Sequence, residues 1–181
     1  MKALCVFCGS SSGDTPEYGK IARELGTTLA SRGIKIVYGG GRVGLMGALA
    51  DAALDAGGEV IGVIPQMLLD KEVGHAGLTE LRVVQTMSER KWQMGELSDA
   101  FIALPGGIGT MDELFEAWTW TQLDLHRKPC GLLNFNGYYD SLVAFLDRSV
   151  EAGFLRPRHR AALLVDRELN PLLERLAAAV A

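Results

Sequence analysis

The sequence predicts a single doubly wound, Rossmann-like α/β domain over residues 1–181, with a central parallel sheet and helices on both faces. Short apolar segments of β-prone residues alternate along the chain with segments of helical periodicity. The apolar segments are nearly continuous, which is typical of strands buried on both faces. The length of 181 residues, of which 48% are hydrophobic, suits one domain with a sizeable core.

The individual elements follow from this alternation. Strands are predicted at residues 3–8, 34–40, 59–65, 81–86, 100–104, 130–135 and 161–165. Helices are predicted at residues 16–33, 44–58, 88–99, 110–125, 138–153 and 170–180. Residues 66–79 show neither pattern, so we expect an irregular loop there.

Composition limits the class of function. The formal net charge of -4 argues against a broad nucleic-acid-binding face, although it leaves room for a local basic pocket. No apolar segment is long enough to span a membrane, and the apolar start is too short for a signal peptide. We therefore expect a cytoplasmic protein with no membrane or nucleic-acid partner.

The three cysteines include a C-x-x-C pair, Cys5 and Cys8, with the spacing of a redox or zinc site. The pair lies in a predicted strand, where residues three apart point to opposite faces. No second pair or histidine cluster completes a metal site. We expect buried thiols, also at Cys130, and neither a metal nor a cofactor.

Three polar or glycine-rich loops follow predicted strands, at residues 9–13, 38–47 and 105–110. Ligands of doubly wound folds bind beyond the carboxyl ends of the strands. In the third loop, "PGGIGT", glycines would let backbone N–H groups approach an anion at the start of a helix. Thr110 and Glu113 also have the spacing of a capping box, so a plain structural turn is the alternative.

The second loop contains G-x-G-x-x-G, formed by Gly39, Gly41 and Gly44, which is the placement of a dinucleotide fingerprint. A dinucleotide site also needs an acidic residue at the end of the next strand. Glu59 begins that strand instead. A mononucleotide phosphate therefore fits the loop better.

The segment "MSERKWQM" places a cation on an apolar helix face, because Arg90 lies three residues after Met87. Arg90 could be a structural arginine that pairs with a core carboxylate, or a cation directed into a pocket. Lys91 could reach a phosphate or simply be solvated.

Together, "CVFCGSSSG", "YGGGRVGLMG", "MSERKWQM" and "PGGIGTMDE" resemble, in this order, the motif blocks of the LONELY GUY phosphoribohydrolases. The similarity continues through "AWTWTQLDLHRKPCGLLNFNGYYDSL" and so covers nearly the whole chain. The resemblance implies hydrolysis of the N-glycosidic bond of nucleoside 5′-monophosphates, such as cytokinin ribotides and AMP, to free base and ribose 5-phosphate. It also implies a homodimer formed through the long helix, with the active site near the subunit boundary.

The resemblance assigns catalysis to Glu113 and Arg90. Glu113 would stabilise an oxocarbenium-like transition state and orient water, and a position in the first turn of a helix would favour its ionised form. Arg90 would bind and polarise the substrate. The remaining candidate contacts to substrate or phosphate are Ser10, Gly40, Gly41, Gly44, Met46, Glu72, Met87, Lys91, Gly106, Gly107, Ile108, Gly109, Thr110, Met111, Asp112 and Thr119.

Two other functions compete with hydrolysis. A non-catalytic carrier of nucleotide or molybdenum cofactor could use the same fold, but it has no need for the Arg90 and Glu113 pair. A dinucleotide-dependent enzyme is disfavoured by the missing acidic residue. A lysine decarboxylase, a name also used for such proteins, would need a pyridoxal phosphate site, and no such pattern appears among the six lysines.

Overall fold

The computed structural model describes residues 1–70 and 74–180, which contain a seven-stranded sheet. The strands are β1 (Ala3–Phe7), β2 (Lys35–Tyr38), β3 (Val60–Pro65), β4 (Glu80–Val84), β5 (Ala100–Ala103), β6 (Cys130–Leu133) and β7 (Leu163–Asp166). Their order is β4-β3-β2-β1-β5-β6-β7, and every neighbouring pair is parallel. The predicted parallel sheet is confirmed.

The helices alternate with the strands. They are α1 (Pro16–Ser31), α2 (Gly44–Asp55), α3 (Gln66–Leu69), α4 (Met87–Glu96), α5 (Ile108–Gln122), α6 (Asp140–Glu151), α7 (Pro157–Ala161) and α8 (Leu169–Ala179), with a 3-10 turn at Phe135–Gly137. The sequence pattern missed the short α3 and α7, which are too brief to show a helical period. In the segment predicted to be irregular, Gly74 also forms an isolated bridge with Gly41.

Helices cover both faces of the sheet, as predicted. Helices α1, α2 and α8 pack on one face through residues such as Leu25, Leu49 and Leu172. Helices α4, α5 and α6 pack on the other face, where Met94 and Leu114 are fully buried. Among the helices in the described ranges, none combines the length and apolarity needed to cross a membrane.

The C-x-x-C pair divides between the two faces of the sheet. Cys5 belongs to the core that α4, α5 and α6 cover, whereas Cys8 belongs to the opposite core. All three cysteines are free and buried, and burial raises the pKa of the Cys5, Cys8 and Cys130 thiols. The expected buried thiols are therefore confirmed.

The order in which the chain adds strands to the sheet reverses at β1, which lies between β2 and β5. The loops that follow β1 and β5 consequently lead to opposite faces and leave a crevice between them. The backbone N–H of Gly9 donates to the Pro105 carbonyl over 3.1 Å, which joins the first and third glycine-rich loops. This is the position where open α/β sheets bind ligands.

Close packing of α1 on α2 gives a prediction about stability. A Cβ at Gly26 would overlap the carbonyl oxygen of Leu49 and lie 3.1 Å from the amide nitrogen of Ala53. Gly26→Ala should therefore lower the free energy of unfolding by about 1–3 kcal/mol, measured by urea denaturation. At Gly19 in the same helix the nearest atom is the flexible Arg23 Nη2, at 3.5 Å. Gly19→Ala should instead stabilise the protein by up to about 1 kcal/mol, and equal losses at both sites would contradict this account.

Candidate active site

A cavity of about 310 Å³ opens at the crevice between the β1 and β5 loops. Its volume lies at the lower end of the range of about 300–1,000 Å³ that is typical of small-molecule sites. It is lined by Cys8, Gly9, Ser10, Met46, Leu68, Met87, Arg90, Gly107, Ile108, Gly109, Thr110, Asp112 and Glu113. Residues of all three glycine-rich loop regions, α4 and the start of α5 therefore meet here.

Helix α5 begins earlier than the sequence pattern predicted. Gly107 is the N-cap residue and makes no side-chain cap, so Thr110 is the third helical residue rather than the cap. The predicted capping box is therefore wrong. The Thr110 side chain packs beneath Gly106, where a Cβ would overlap its hydroxyl oxygen. This packing keeps Thr110 buried instead of leaving it at the helix end.

A capping box does occur at α4, where none was predicted. The amide of Glu89 donates to Thr86 Oγ1 over 3.1 Å, and the amide of Thr86 donates to Glu89 Oε2 over 3.3 Å. T-x-x-E at residues 86–89 was the available signal. The box fixes the start of the helix that carries Arg90.

The start of α5 leaves space suited to an anion. Within the described part of the chain, a Cβ built at Gly107 or Gly109 would meet no heavy atom within 4 Å beyond its chain neighbours and the backbone of its own helix, and both residues line the cavity. The first N–H groups of a helix have no partner inside the helix and carry partial positive charge. The two bare glycines therefore let a phosphate-sized group reach these donors.

Glu113 is buried at the inner end of this cavity, with 11% of its side chain exposed. Burial raises the pKa of its carboxyl from 4.5 to about 7, although the nearby Arg90 guanidinium opposes the shift. The expected preference for the ionised form is wrong, because Glu113 lies beyond the first turn and loses hydration. A carboxyl that titrates near neutral pH can accept a proton from water.

Arg90 is held by backbone carbonyls near the ends of two strands as well as by Glu113. Its Nε donates to the Val63 carbonyl over 3.0 Å and its Nη2 to the Gly39 carbonyl over 2.8 Å. Its Nη1 lies 3.8 Å from Glu113 Oε1 and the same distance from Met87 Sδ. Arg90 is thus a buried cation that is anchored on one side and lines the cavity on the other.

Lys91 lies apart from the expected phosphate position. Its Nζ lies 3.0 Å from Asp112 Oδ2 and also pairs with Glu116, one turn further along α5. Burial lowers the pKa of Lys91, but these two carboxylates raise it more. Lys91 therefore links α4 to α5 and fixes the helices that carry Arg90 and Glu113.

The other candidates divide into three groups. Ser10, Met46, Met87, Ile108 and Asp112 line the cavity with the α5 glycines. Gly40, Gly41, Gly44, Gly106 and Met111 lie outside its lining and shape the surrounding loops and core. Thr119 lies on the exposed side of α5 in a separate groove, and Glu72 lies outside the described residues.

Three lining residues were missed. Cys8 was interpreted only as a thiol, Gly9 only as part of a loop, and Leu68 fell in the segment predicted to be irregular. The strand-end positions of Cys8 and Gly9 were a usable signal. No sequence signal indicated Leu68, because its position in the cavity lining depends on the short helix α3.

The G-x-G-x-x-G loop has a structural use in this chain. A Cβ at Gly39 would overlap Arg90 Nη2, and a Cβ at Gly44 would overlap the Ser10 backbone. The glycines thus make room for the protein's own groups rather than lining the cavity. Over the described ranges, no group of three or more His, Cys, Asp or Glu residues could hold a metal ion.

Because a Cβ at Gly39 would overlap Arg90 Nη2, one methyl group added at Gly39 should disturb the position of Arg90. Gly39→Ala should displace the guanidinium and lower the catalytic efficiency, kcat/KM, of a reaction at this site by about 100-fold, because small misplacements cost that much. In an Arg90→Met background the same change should add little, since its target is already gone. Steady-state kinetics of the four proteins measure this coupling, and independent effects would contradict the proposed contact.

Comparisons with known proteins identify the family of this chain. The family model described as "possible lysine decarboxylase" matches residues 46–176. A cytokinin riboside 5′-monophosphate phosphoribohydrolase of Arabidopsis thaliana is 49% identical over 175 residues, covering 97% of this chain and 82% of that protein. The enzyme of the same name from Rhodococcoides fascians is 49% identical over 170 residues, covering 93% and 86%.

Solved structures show the same fold. The molybdenum cofactor binding protein of Rippkaea orientalis superimposes with a TM-score of 0.74 at 23% identity, covering 100% of this chain and 99% of that chain. At this identity the likeness concerns the fold alone. The family match and the 49% identity together show that this chain belongs to the LONELY GUY family, whose model carries the lysine decarboxylase description.

Proposed function

We propose that this protein hydrolyses the N-glycosidic bond of nucleoside 5′-monophosphates, including AMP and cytokinin ribotides, to free base and ribose 5-phosphate. One observation carries the proposal. A buried carboxyl with a pKa of about 7, on Glu113, lies beside the Arg90 guanidinium in a cavity that also contains a bare helix start. The relatives from Arabidopsis and Rhodococcoides carry the name of this activity.

The phosphate fits the start of α5. Gly107, Ile108, Gly109 and Thr110 line the cavity at the positions where helical N–H donors are unpaired. Glu113 follows Gly109 by four residues, so the two share a helix face and lie about 6 Å apart along the axis. A ribose 5-phosphate seated on the glycines therefore directs its sugar toward the Glu113 carboxyl.

Glu113 supplies the chemistry at the sugar. Cleavage of a glycosidic bond develops positive charge on the ribose, which an ionised carboxylate stabilises. The same carboxylate can take a proton from the attacking water, whose oxygen bonds to the anomeric carbon as the base departs with the bonding electrons. The protonated Glu113 carboxyl then returns that proton to the base nitrogen, so that the neutral base leaves and Glu113 is again ionised. A pKa near the working pH favours this exchange of protons.

Arg90 orients the reacting groups and keeps part of the Glu113 carboxyl ionised. Its anchored guanidinium opposes the rise in the pKa of the Glu113 carboxyl, so that a useful fraction is ionised at neutral pH. An arginine is too weak an acid for easy proton transfer, which leaves it binding and polarising substrate. A nucleotide or molybdenum-cofactor carrier would have no use for this buried pair.

The cavity does not suit lysine decarboxylation. Among its described lining residues there is no lysine to form a Schiff base, and Lys91 is paired with two carboxylates on α5. Hydrolysis by this route requires no cofactor, because water is the nucleophile and the Glu113 carboxylate is the base.

We further propose a homodimer formed across α5. Ile108, Leu123 and Leu125 expose 90%, 60% and 62% of their surfaces along this helix and just after it. Thr119 lies in a groove on the same exposed side, away from the cavity of its own chain. If Thr119 contacts substrate, as the family resemblance implies, it contacts the substrate bound by a second copy.

Activity on AMP tests the proposal directly. The protein should convert AMP and isopentenyladenosine monophosphate to free base and ribose 5-phosphate, separated by chromatography. Glu113→Gln should lower kcat about 100-fold or more, because it removes the base and the charge. Glu96→Gln, which changes an exposed carboxylate at the end of α4, is the matched control and should retain activity. Nucleotide binding without release of base would instead favour a carrier.

The empty space at Gly109 predicts a loss of binding without a loss of stability. A Cβ at this position meets no described atom of the protein, and alanine is the better helix former by about 1 kcal/mol. Gly109→Ala should therefore keep or raise the melting temperature while KM for AMP rises at least about tenfold. An unchanged KM would place the phosphate elsewhere.

The dimer is tested by sedimentation. The native protein should sediment as a dimer, and Leu123→Glu should yield monomers with much reduced activity. Val83→Glu, on the edge strand β4, places the same charge on an exposed apolar residue far along the sheet and should leave the dimer intact. A native monomer with full activity would refute the proposal.

A further inference from the structure

A second and larger cavity, of about 510 Å³, adjoins the candidate active site. The two cavities share Gly9, Ser10 and Gly107, so they adjoin at the glycine loops. The second cavity extends to Tyr18 on α1, whereas the first extends to Arg90 on α4. Apart from the shared residues, the proposed hydrolytic mechanism uses no residue of the second cavity. Its volume is well within the range of about 300–1,000 Å³ that is typical of small-molecule sites.

The second cavity has an aromatic and apolar part beside its glycine and serine residues. Tyr18 and Tyr138 line it with their ring centroids 5.7 Å apart and their planes at 75°. Leu45 and Pro105 are buried and also line it. Tyr138 remains 44% exposed in this setting. An exposed aromatic ring at an apolar cavity suits stacking against a planar ligand.

Tyr138 is also fixed in place. Its hydroxyl donates a hydrogen bond to the Gly106 carbonyl over 2.8 Å, and its ring packs edge-on against Tyr139 with centroids 4.7 Å apart. Tyr139 in turn donates to the Leu104 carbonyl over 2.7 Å. A ring that is already immobilised loses little entropy when a ligand stacks on it.

The charge of the second cavity differs from that of the first. Asp14 is the charged residue among its described lining residues, which include no Lys, Arg or His. A phosphate or carboxylate there would face this carboxylate without a cation. An uncharged planar ring that carries N–H donors would be accepted, because it can stack on tyrosine and donate to Asp14.

We propose that the second cavity is a binding site for a free, uncharged purine-type base, separate from the position of the substrate's own base. The ring stacks on Tyr138 and an N–H group donates to Asp14. Because Tyr138 also holds Gly106, the bound base lies directly beside the loop that begins α5. This assignment concerns binding alone and does not depend on the proposed hydrolysis.

Equilibrium dialysis with labelled adenine tests the site in the full-length protein. Glu113→Gln is saturated with AMP, which fills the first cavity including its base position, and adenine is then titrated. About one equivalent of adenine per chain should still bind. Displacement of all adenine by AMP would overturn the proposal, because adenine would then share the position of the substrate's own base.

Substitutions in the second cavity test the site independently of the competition with AMP. Tyr138→Leu should weaken adenine binding about tenfold, which is within the range found when a stacking ring is removed. Tyr138→Phe keeps the ring but loses the hydrogen bond to Gly106, so it should bind adenine more tightly than Tyr138→Leu does and no more tightly than the native protein. Asp14→Asn should bind adenine several-fold more weakly. Native affinity in Tyr138→Leu, with the fold verified by circular dichroism, would contradict the site.

The same dialysis without AMP separates this proposal from the hydrolase proposal. Adenine binding to the native protein, and its loss in Tyr138→Leu, require no turnover. Failure of AMP hydrolysis would therefore leave this result unchanged, whereas wild-type adenine binding in every second-cavity variant would overturn the site even in an active enzyme.

Discussion

The contact between Glu113 and Arg90 is the constraint on which the rest of the site depends. A carboxylate that is 11% exposed is costly to ionise, and a buried guanidinium 3.8 Å away offsets part of that cost. Since the folded-state pKa is raised from 4.5 to about 7, the native state holds this proton more tightly than the unfolded state does. The neutral Glu113 carboxyl therefore adds to the free energy of unfolding at low pH. This contribution is lost as pH rises from 4.5 through about 7. The proposed hydrolysis needs the ionised form of Glu113, so in this proposal stability and activity have opposite pH dependences.

Glycines, which have no side chain, create much of the space around this pair. Gly39 lets the Arg90 guanidinium reach a backbone carbonyl, and Gly106 lets Thr110 pack beneath the loop. Gly107 and Gly109 differ from these, because no described atom of the chain fills the space beside them. The first two glycines are explained by the protein's own packing. The last two leave room at the start of α5 for the phosphate of the proposed substrate.

Most of the fold could be predicted from sequence, because strand and helix periods are local signals and a parallel sheet follows from their alternation. The short α3 and α7 could not, since they span less than the pattern that identifies a helix. At the site, motif spacing indicated Arg90 and Glu113 but misplaced the start of α5. The pKa of Glu113 and the pairing of Lys91 depend on the packing of α4 against α5, which no local pattern encodes.

The titration of the Glu113 carboxyl is the most direct test of the account. The side-chain carboxyl carbon can be followed by ¹³C NMR across the acidic and neutral pH range, with Glu113→Gln used to assign its signal. We expect a midpoint near 7, because burial disfavours the charged form more than the Arg90 guanidinium stabilises it. A midpoint near 4.5 would mean that Glu113 is hydrated, and it would contradict the buried, proton-accepting role on which the proposed hydrolysis rests.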